Sequence, residues 1–447
     1  MIIKHGNIAL PNTTEFASFD LEINHGEITS IGKDLQGTNI LNATGLQIFP
    51  GAIDPHVHFD DPGFTDREDF YHGSCAAASG GITTVIDMPC TSIPPVTSLK
   101  NFKKKLDIVC KKSVIDFGFY GGISNQVYVD NYKEVIAELS EHIMGFKSYL
   151  ISGMDTFCSL TYDELADIMI EVYKHNRPVL LHAEDLNTII EATKIQQQAG
   201  NSYENYYKSR PEKAEIVAVQ NAIEAAKETG CQLHIVHIGT SDAAILLKDI
   251  TNVTGETCPH YLEFNYKDFE RVGGSLKTAP VVKTTKDSEK LWQYLADGTL
   301  EFVASDHAPA PPSQKNTGSA WTDYSGIPGT GTLFPYLYSE GFIKRQIPLD
   351  RFLQIISENA AKRYGFFDRK GSIEIGKDAD LVFVNPKKNY QVRGEEFLSK
   401  GKLTPFESMI LKGKIEKTMV RGKVVFDAKQ GITAKAGFGK LIKPTNS

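Results

Sequence analysis

The sequence predicts an α/β protein: a TIM (β/α)8 barrel with a small β-sandwich domain formed by the N- and C-terminal segments. Three observations predict it. Eight short apolar runs of strand length recur through the middle of the chain, and patterns of helical period lie between them. Both flanks instead carry β-branched alternation broken by Gly and Asp turns. The chemically unusual residues fall at the ends of the apolar runs, where a barrel of this kind places its active site.

Residues 1–50 read as short strands and turns ("MIIKHGNIAL", "FDLEINHGEITSIG", "GLQIFPG") and form the first part of the β-domain. The barrel spans 51–370, with runs "FPGAIDPHVHF", "GITTVIDMP", "VIDFGFYGG", "IMGFKSYLI", "RPVLLHAED", "CQLHIVHIG", "VTGETCPHYL" and "LEFVASDHAP". Helical patterns such as "TYDELADIMIEVYKHN" separate them, and "EKAEIVAVQNAIEAAKETG" carries Ile216, Val219, Ala222, Ile223 and Ala226 on one face. Residues 371–447 return to strand texture ("GSIEIGKDADLVFVNP", "IEKTMVRGKVVFD") and complete the β-domain. The tail "KAGFGKLIKPTNS" is expected either to be loose or to cover a neighbouring subunit.

A chain of 447 residues, 41% apolar and 23% charged, is long enough for a large buried core. A net charge of -7 argues against a nucleic-acid partner. No apolar run is long enough to span a bilayer, and the start lacks a signal core, so a cytoplasmic location is the expectation. The six cysteines are scattered without a C-x-x-C pair, which disfavours disulfides and a thiolate zinc site.

His56 and His58 are two apart, so a strand turns both to the same side, as half a metal site or as two satisfied loop histidines. His182 ends its apolar run alone, a position that suits a ligand or a structural histidine. His234 and His237 are three apart, which on a regular strand puts them on opposite faces. His237, nearer the strand end, is expected in the barrel mouth, and His234 against a helix. Asp306 sits where a strand meets a proline-rich loop, placed to bind metal, move a proton or cap a turn. Lys147 lies inside an apolar strand, which is costly unless it is paired, chemically altered or snorkelling to solvent.

Taken together, H-x-H, Lys, His, His and Asp fall on the first, fourth, fifth, sixth and eighth runs. In that order, and in "GGITTVIDMP", "GFKSYL", "HAED", "ETCPHYLEF", "SDHAP" and "GSIEIGKDADLVFV", most of the chain resembles the cyclic amidohydrolase branch of the amidohydrolase superfamily. The resemblance is strongest to allantoinases, then to hydantoinases and dihydroorotases. It implies two divalent metal ions, zinc by default, bridged by a carboxylated Lys147. His56 and His58 would bind one ion with Asp306, and His182 and His237 the other. It implies metal-assisted hydrolysis of a ring C–N bond by a bridging hydroxide, with Asp306 as catalytic proton shuttle. Asp54, Glu184 and Asp185 are candidates for orienting the histidines. A homo-oligomer, dimer or tetramer, also follows from the resemblance.

The substrate side departs from the relatives. Dihydroorotases carry an arginine where this chain has Asp60, and they differ again at Cys90 and Ala310. Asp60 is expected near the pocket mouth, where it would repel a carboxylate-bearing ring. Relative to allantoinases, Asp61 stands for glutamate, Thr91 for asparagine and Ala308 for serine, and "WTDYSGIPG" carries an insertion. Candidate substrate contacts are Asp60, Cys90, Thr91, His260, Ala279, His307 and Gly326. The resemblance implies a small neutral cyclic ureide, allantoin opened to allantoate as a step of purine catabolism, with hydantoin, dihydropyrimidine or dihydroorotate rings as alternatives. Two other classes are a scaffold that has lost its ligands, against which all six metal residues stand, and a deaminase, against which Lys147 stands.

Overall fold

The computed structural model describes residues 1–445. All eight apolar runs form parallel barrel strands: β1 (Ala52–Val57), β2 (Ile82–Asp87), β3 (Asp116–Phe119, continued by Gly121–Gly122), β4 (Phe146–Tyr149), β5 (Val179–His182), β6 (Leu233–Ile235), β7 (Val253–Thr257) and β8 (Phe302–Val303). They hydrogen-bond in two arcs, β1–β3 and β3–β8, which meet inside β3 on either side of Tyr120. At the other seam a parallel bridge pairs Val57 with His307, and the His58 N–H donates to the His307 carbonyl at 2.8 Å. Strands this short and apolar are buried on both faces, as parallel strands under helices must be.

The intervening helices follow their sequence signals. Thr161 and Glu164 form a capping box that starts Tyr162–Tyr173. In Glu212–Thr229 the buried stripe is Ala214, Glu215, Ala218, Val219, Ala222, Ile223 and Ala226, while Ile216 is only half-buried. Gly230, with φ +72°, stops that helix in the left-handed conformation.

The two flanks pair with each other, as their texture predicts. Strands Ile2–Ile8, Ala17–Asn24, Glu27–Gly32, Ile40–Asn42 and Gln47–Pro50 join Leu381–Gln391, Ile410–Val420, Lys423–Asp427 and Gly431–Ile432 in one nine-stranded sheet. The join is antiparallel, with Gln47 opposite Val384 and Pro50 opposite Leu381. Ile8, Leu21, Ile28, Ile48, Leu381 and Phe383 form its buried core.

A buried ion cluster fastens the sheet to the barrel. The Lys370 ammonium lies 2.8 Å from Asp116 at the start of β3, 3.0 Å from Asp378 and 2.5 Å from Asp380. Arg421 completes it against Asp116. Three buried carboxylates are tolerable because two cations answer them. The tail corrects its expectation: its described part docks on its own barrel. Phe117 N donates to the Lys440 carbonyl at 3.0 Å and Ile442 N to the Phe117 carbonyl at 2.8 Å. No helix among the described residues is long and apolar enough to cross a membrane.

Candidate active site

The C-terminal ends of the strands surround a cavity of about 410 Å³, within the range of small-molecule sites. His58, His182, His237 and Asp306 reach its wall. His56 Nε2 and His58 Nε2 each lie 3.3 Å from Asp306 Oδ1. His182 Nδ1 lies 3.1 Å from His237 Nε2, and the His56 and His237 rings are 5.4 Å apart. Lys147 extends into the same cluster, fully buried, its Nζ without a hydrogen-bond partner and 4.7 Å from the Tyr149 ring centre. The structure thus brings together all six residues expected to ligate metal.

Three non-glycine residues here have left-handed backbone: Asp60 (φ 56°), His237 (φ 42°) and Asp306 (φ 49°). Such strain persists only where the surroundings over-determine it. At Asp306 the determinants are visible. Ser305 N donates to Asp54 Oδ1 (3.0 Å), and His307 N donates to Ser305 Oγ (3.1 Å). The His307 ring accepts from Gly329 N at 3.1 Å through Nδ1 and meets Glu68 at 3.1 Å through Nε2. Ser399, from the C-terminal segment, donates to the same Glu68 at 2.5 Å.

Orienting groups hold the outer nitrogens of the histidines. Glu256 takes His56 Nδ1 at 2.6 Å and His234 Nε2 at 3.2 Å. Glu184 takes His182 Nε2 at 2.9 Å and is itself held by Arg210. Thr91 Oγ1 lies 3.2 Å from His58 Nδ1. With the outer nitrogens of His56, His58 and His182 engaged, the inner ones converge on Asp306 and His237, and a buried amine without a partner stands among them. Such a donor set fits divalent cations.

The electrostatics agree. Burial holds His56 and His237 well below the usual imidazole range, so both are neutral, the ligating form. Burial lowers Lys147 to about 8. Burial alone would raise the Asp306 carboxyl, but the hydrogen-bonded His58 beside it holds it well below the carboxylate range. Burial opposes a charge on His58, yet its bond to Asp306 raises it to about 10. Asp306 is therefore anionic among the imidazoles, a charge that a bound cation would answer.

Several expectations change. His234 does not pack on a helix: it lies beneath the cluster, joined to His56 through Glu256, with Nδ1 2.7 Å from Thr254 Oγ1. The alternation rule fails because β6 ends at Ile235 and His237 follows in left-handed backbone. Asp60 is not at the pocket mouth. It is wholly buried off the cavity wall with neither oxygen hydrogen-bonded, and burial pushes it up to about 8. It is therefore not placed to meet a ring carboxylate directly at the mouth. His260 and His307 also lie off the wall: His260 packs on Tyr261 with both ring nitrogens unpartnered, and His307 braces Asp306. Of the orienting candidates, Glu184 fills that role, Asp54 holds Ser305, and Asp185 caps the helix Leu186–Ala199.

Cys90, Thr91, Ala279 and Gly326 do line the cavity. Gly326 is required sterically, since at φ +155° a Cβ would meet the Ala308 carbonyl oxygen at 2.3 Å. Sequence reasoning missed Arg67, Tyr149, Arg210 and Tyr324 on the wall, and Glu256 and Glu68 behind it. Two signals were available. Tyr149 is two residues from Lys147 and so shares its face, and Glu256 is a charge inside an apolar strand.

The amidohydrolase family model matches residues 47–425. An allantoinase of Rubrobacter xylanophilus is 35% identical over 99% of this chain and 97% of its own. An allantoinase of Bacillus velezensis is 35% identical over 100% and 98%. Among solved structures, the L-hydantoinase (dihydropyrimidinase) of Arthrobacter aurescens superposes with TM-score 0.93 at 30% identity, covering 99% of each chain. The dihydropyrimidinase of Brevibacillus agri superposes with TM-score 0.89 at 28% identity, covering 99% of this chain and 98% of its own.

Proposed function

The chain belongs to the amidohydrolase family, and from that premise we propose that it opens the ring of a small cyclic ureide, allantoin to allantoate, at the cluster in the barrel mouth. One observation carries the assignment to that cluster: four imidazoles, Asp306 and an unpartnered buried lysine converge there, with the outer nitrogens of His56, His58 and His182 engaged by Glu256, Thr91 and Glu184. The family and the donor set imply a divalent metal centre.

In this reading His56 and His58 hold one ion with Asp306, and His182 and His237 hold a second. Lys147, once its neutral Nζ had added to carbon dioxide and lost a proton, would be the anionic carbamate able to serve both ions. An orphan ammonium beside two cations would be repelled, whereas a carbamate supplies two oxygen donors and removes the unmet charge. Imidazole and carboxylate donors suit zinc. Bound ions supply an acidified water and a Lewis acid for the scissile carbonyl.

The chain's own groups do the rest. Asp306 Oδ accepts the proton given up by the attacking water and returns it to the departing ring nitrogen, so the ring opens without loss of a fragment. The brace through His307, Glu68 and Ser399 keeps that carboxylate in place during both transfers. Tyr149, stacked on the His182 ring at 5.3 Å, sets one wall against the substrate.

The test is catalytic efficiency for allantoin, hydantoin, dihydrouracil and dihydroorotate side by side, with zinc-loaded protein. Allantoin is expected to be opened fastest, and metal removal by a chelator to abolish turnover. Failure to open any of the four rings would refute the reading.

A further inference from the structure

The cavity wall holds two arginines with different situations. Arg210 is committed, since its guanidinium bonds both oxygens of Glu184, with Nε to Oε1 at 3.1 Å, and that carboxylate holds His182. Arg67 is not committed. Its guanidinium carbon lies 4.6 Å from the Phe64 ring centre and 4.4 Å from that of Tyr324. Its Nε donates to Gln314 Oε1 at 2.7 Å. No carboxylate among the described residues forms a salt bridge with it, and its two terminal nitrogens have no hydrogen-bond partner among them. Asp60, behind the wall and wholly buried, faces Arg67 electrostatically but forms no salt bridge with it.

The group is also preorganised. Tyr324 N donates to the Gln314 carbonyl at 2.7 Å, and the buried Lys315 ammonium gathers the carbonyls of Tyr324 (3.0 Å) and Gly326 (2.7 Å). The Tyr324 backbone is therefore held, and Arg67 lies over its ring while lining the cavity. A guanidinium held this way loses little rotamer freedom on binding and presents donors in one plane. Its match is a planar group with a carbonyl oxygen, carried on the ring at some distance from the scissile bond.

We propose that Arg67 is a specificity-determining residue: its guanidinium, against Phe64 and Tyr324, donates to the carbonyl oxygen of the ureido arm on the ring. This rests on the ring-opening reading above and names the part of the substrate the site recognises. Allantoin carries that arm, and hydantoin is the same ring without it.

Zinc-loaded wild type, Arg67→Gln and Arg67→Lys are compared on allantoin and on hydantoin. A charge-assisted hydrogen bond lost only with the arm predicts that Arg67→Gln loses about ten- to a hundredfold in kcat/KM on allantoin. Hydantoin should stay within about twofold, which also reports intact folding. Arg67→Lys should fall between, because it keeps the charge and loses the planar stack. Equal losses on both rings, or no loss on allantoin, would overturn the proposal. Wild-type protein that opens hydantoin and leaves allantoin untouched would instead overturn the allantoin reading, and with it the role of Arg67.

Discussion

Replacing Glu256 by Gln tests whether the cluster is tuned from behind. The Glu256 carboxylate is wholly buried and serves two histidines, His56 Nδ1 at 2.6 Å and His234 Nε2 at 3.2 Å. For His56 Nε2 to ligate, its Nδ1 must carry the proton and donate it to Glu256. A glutamine can still accept from His56 through its oxygen. Its NH2 then faces His234, which can answer by moving its proton to Nδ1, where Thr254 Oγ1 waits at 2.7 Å. Every bond is kept and only the charge is lost. Hydrogen bonds to charged groups contribute about 1.5–3 kcal/mol against roughly 0.5–1.5 for neutral ones. The difference of about 1 kcal/mol corresponds to roughly a fivefold to tenfold weaker grip on metal. Glu256→Ala goes further, leaving the His56 proton unmet in a dry site, and should cost on the order of a hundredfold. Competition against a fluorescent zinc chelator measures both variants. Wild-type affinity in both, or a glutamine variant weaker than the alanine one, would refute this account of the orienting shell.

Lys147→Ala should remove the bridge, and metal content and turnover should fall together; elemental analysis beside an activity assay checks this, and full occupancy with full activity would exclude the carbamate. Asp306→Asn should retain part of its metal yet lose about a hundred- to ten-thousandfold in kcat, the usual size of a general acid–base contribution. A variant within a few-fold of wild type would mean that another group moves the proton.

The eight strands were legible because parallel strands buried on both faces must be continuous apolar runs, and the candidate ligands stood out as polar residues at their ends. What failed were inferences from local spacing where the backbone leaves regular geometry. Strand parity mispredicted His234 because the chain turns left-handed at His237, and it mispredicted Asp60 for the same reason. Contacts that join distant segments left no local trace. Ser399 reaches Glu68 across 331 positions, and Arg67 finds Gln314 across 247. The Arg67 side of the wall is built from such contacts, so the candidate metal cluster and the cavity residues Cys90, Thr91, Ala279 and Gly326 could be read from the sequence while Arg67 could not.

The join between Gln47–Pro50 and Leu381–Val384 has a consequence for how the chain is made. During synthesis the first five strands leave the ribosome without the partners that complete their sheet, and the whole barrel is translated before those partners exist. Gln47–Pro50 is for that interval an open edge with its pairing groups unmet. Its exposure ends only when Leu381 and the residues after it emerge. Completion of the sheet therefore waits until the barrel between its two parts has been made, whatever the first five strands have already paired among themselves.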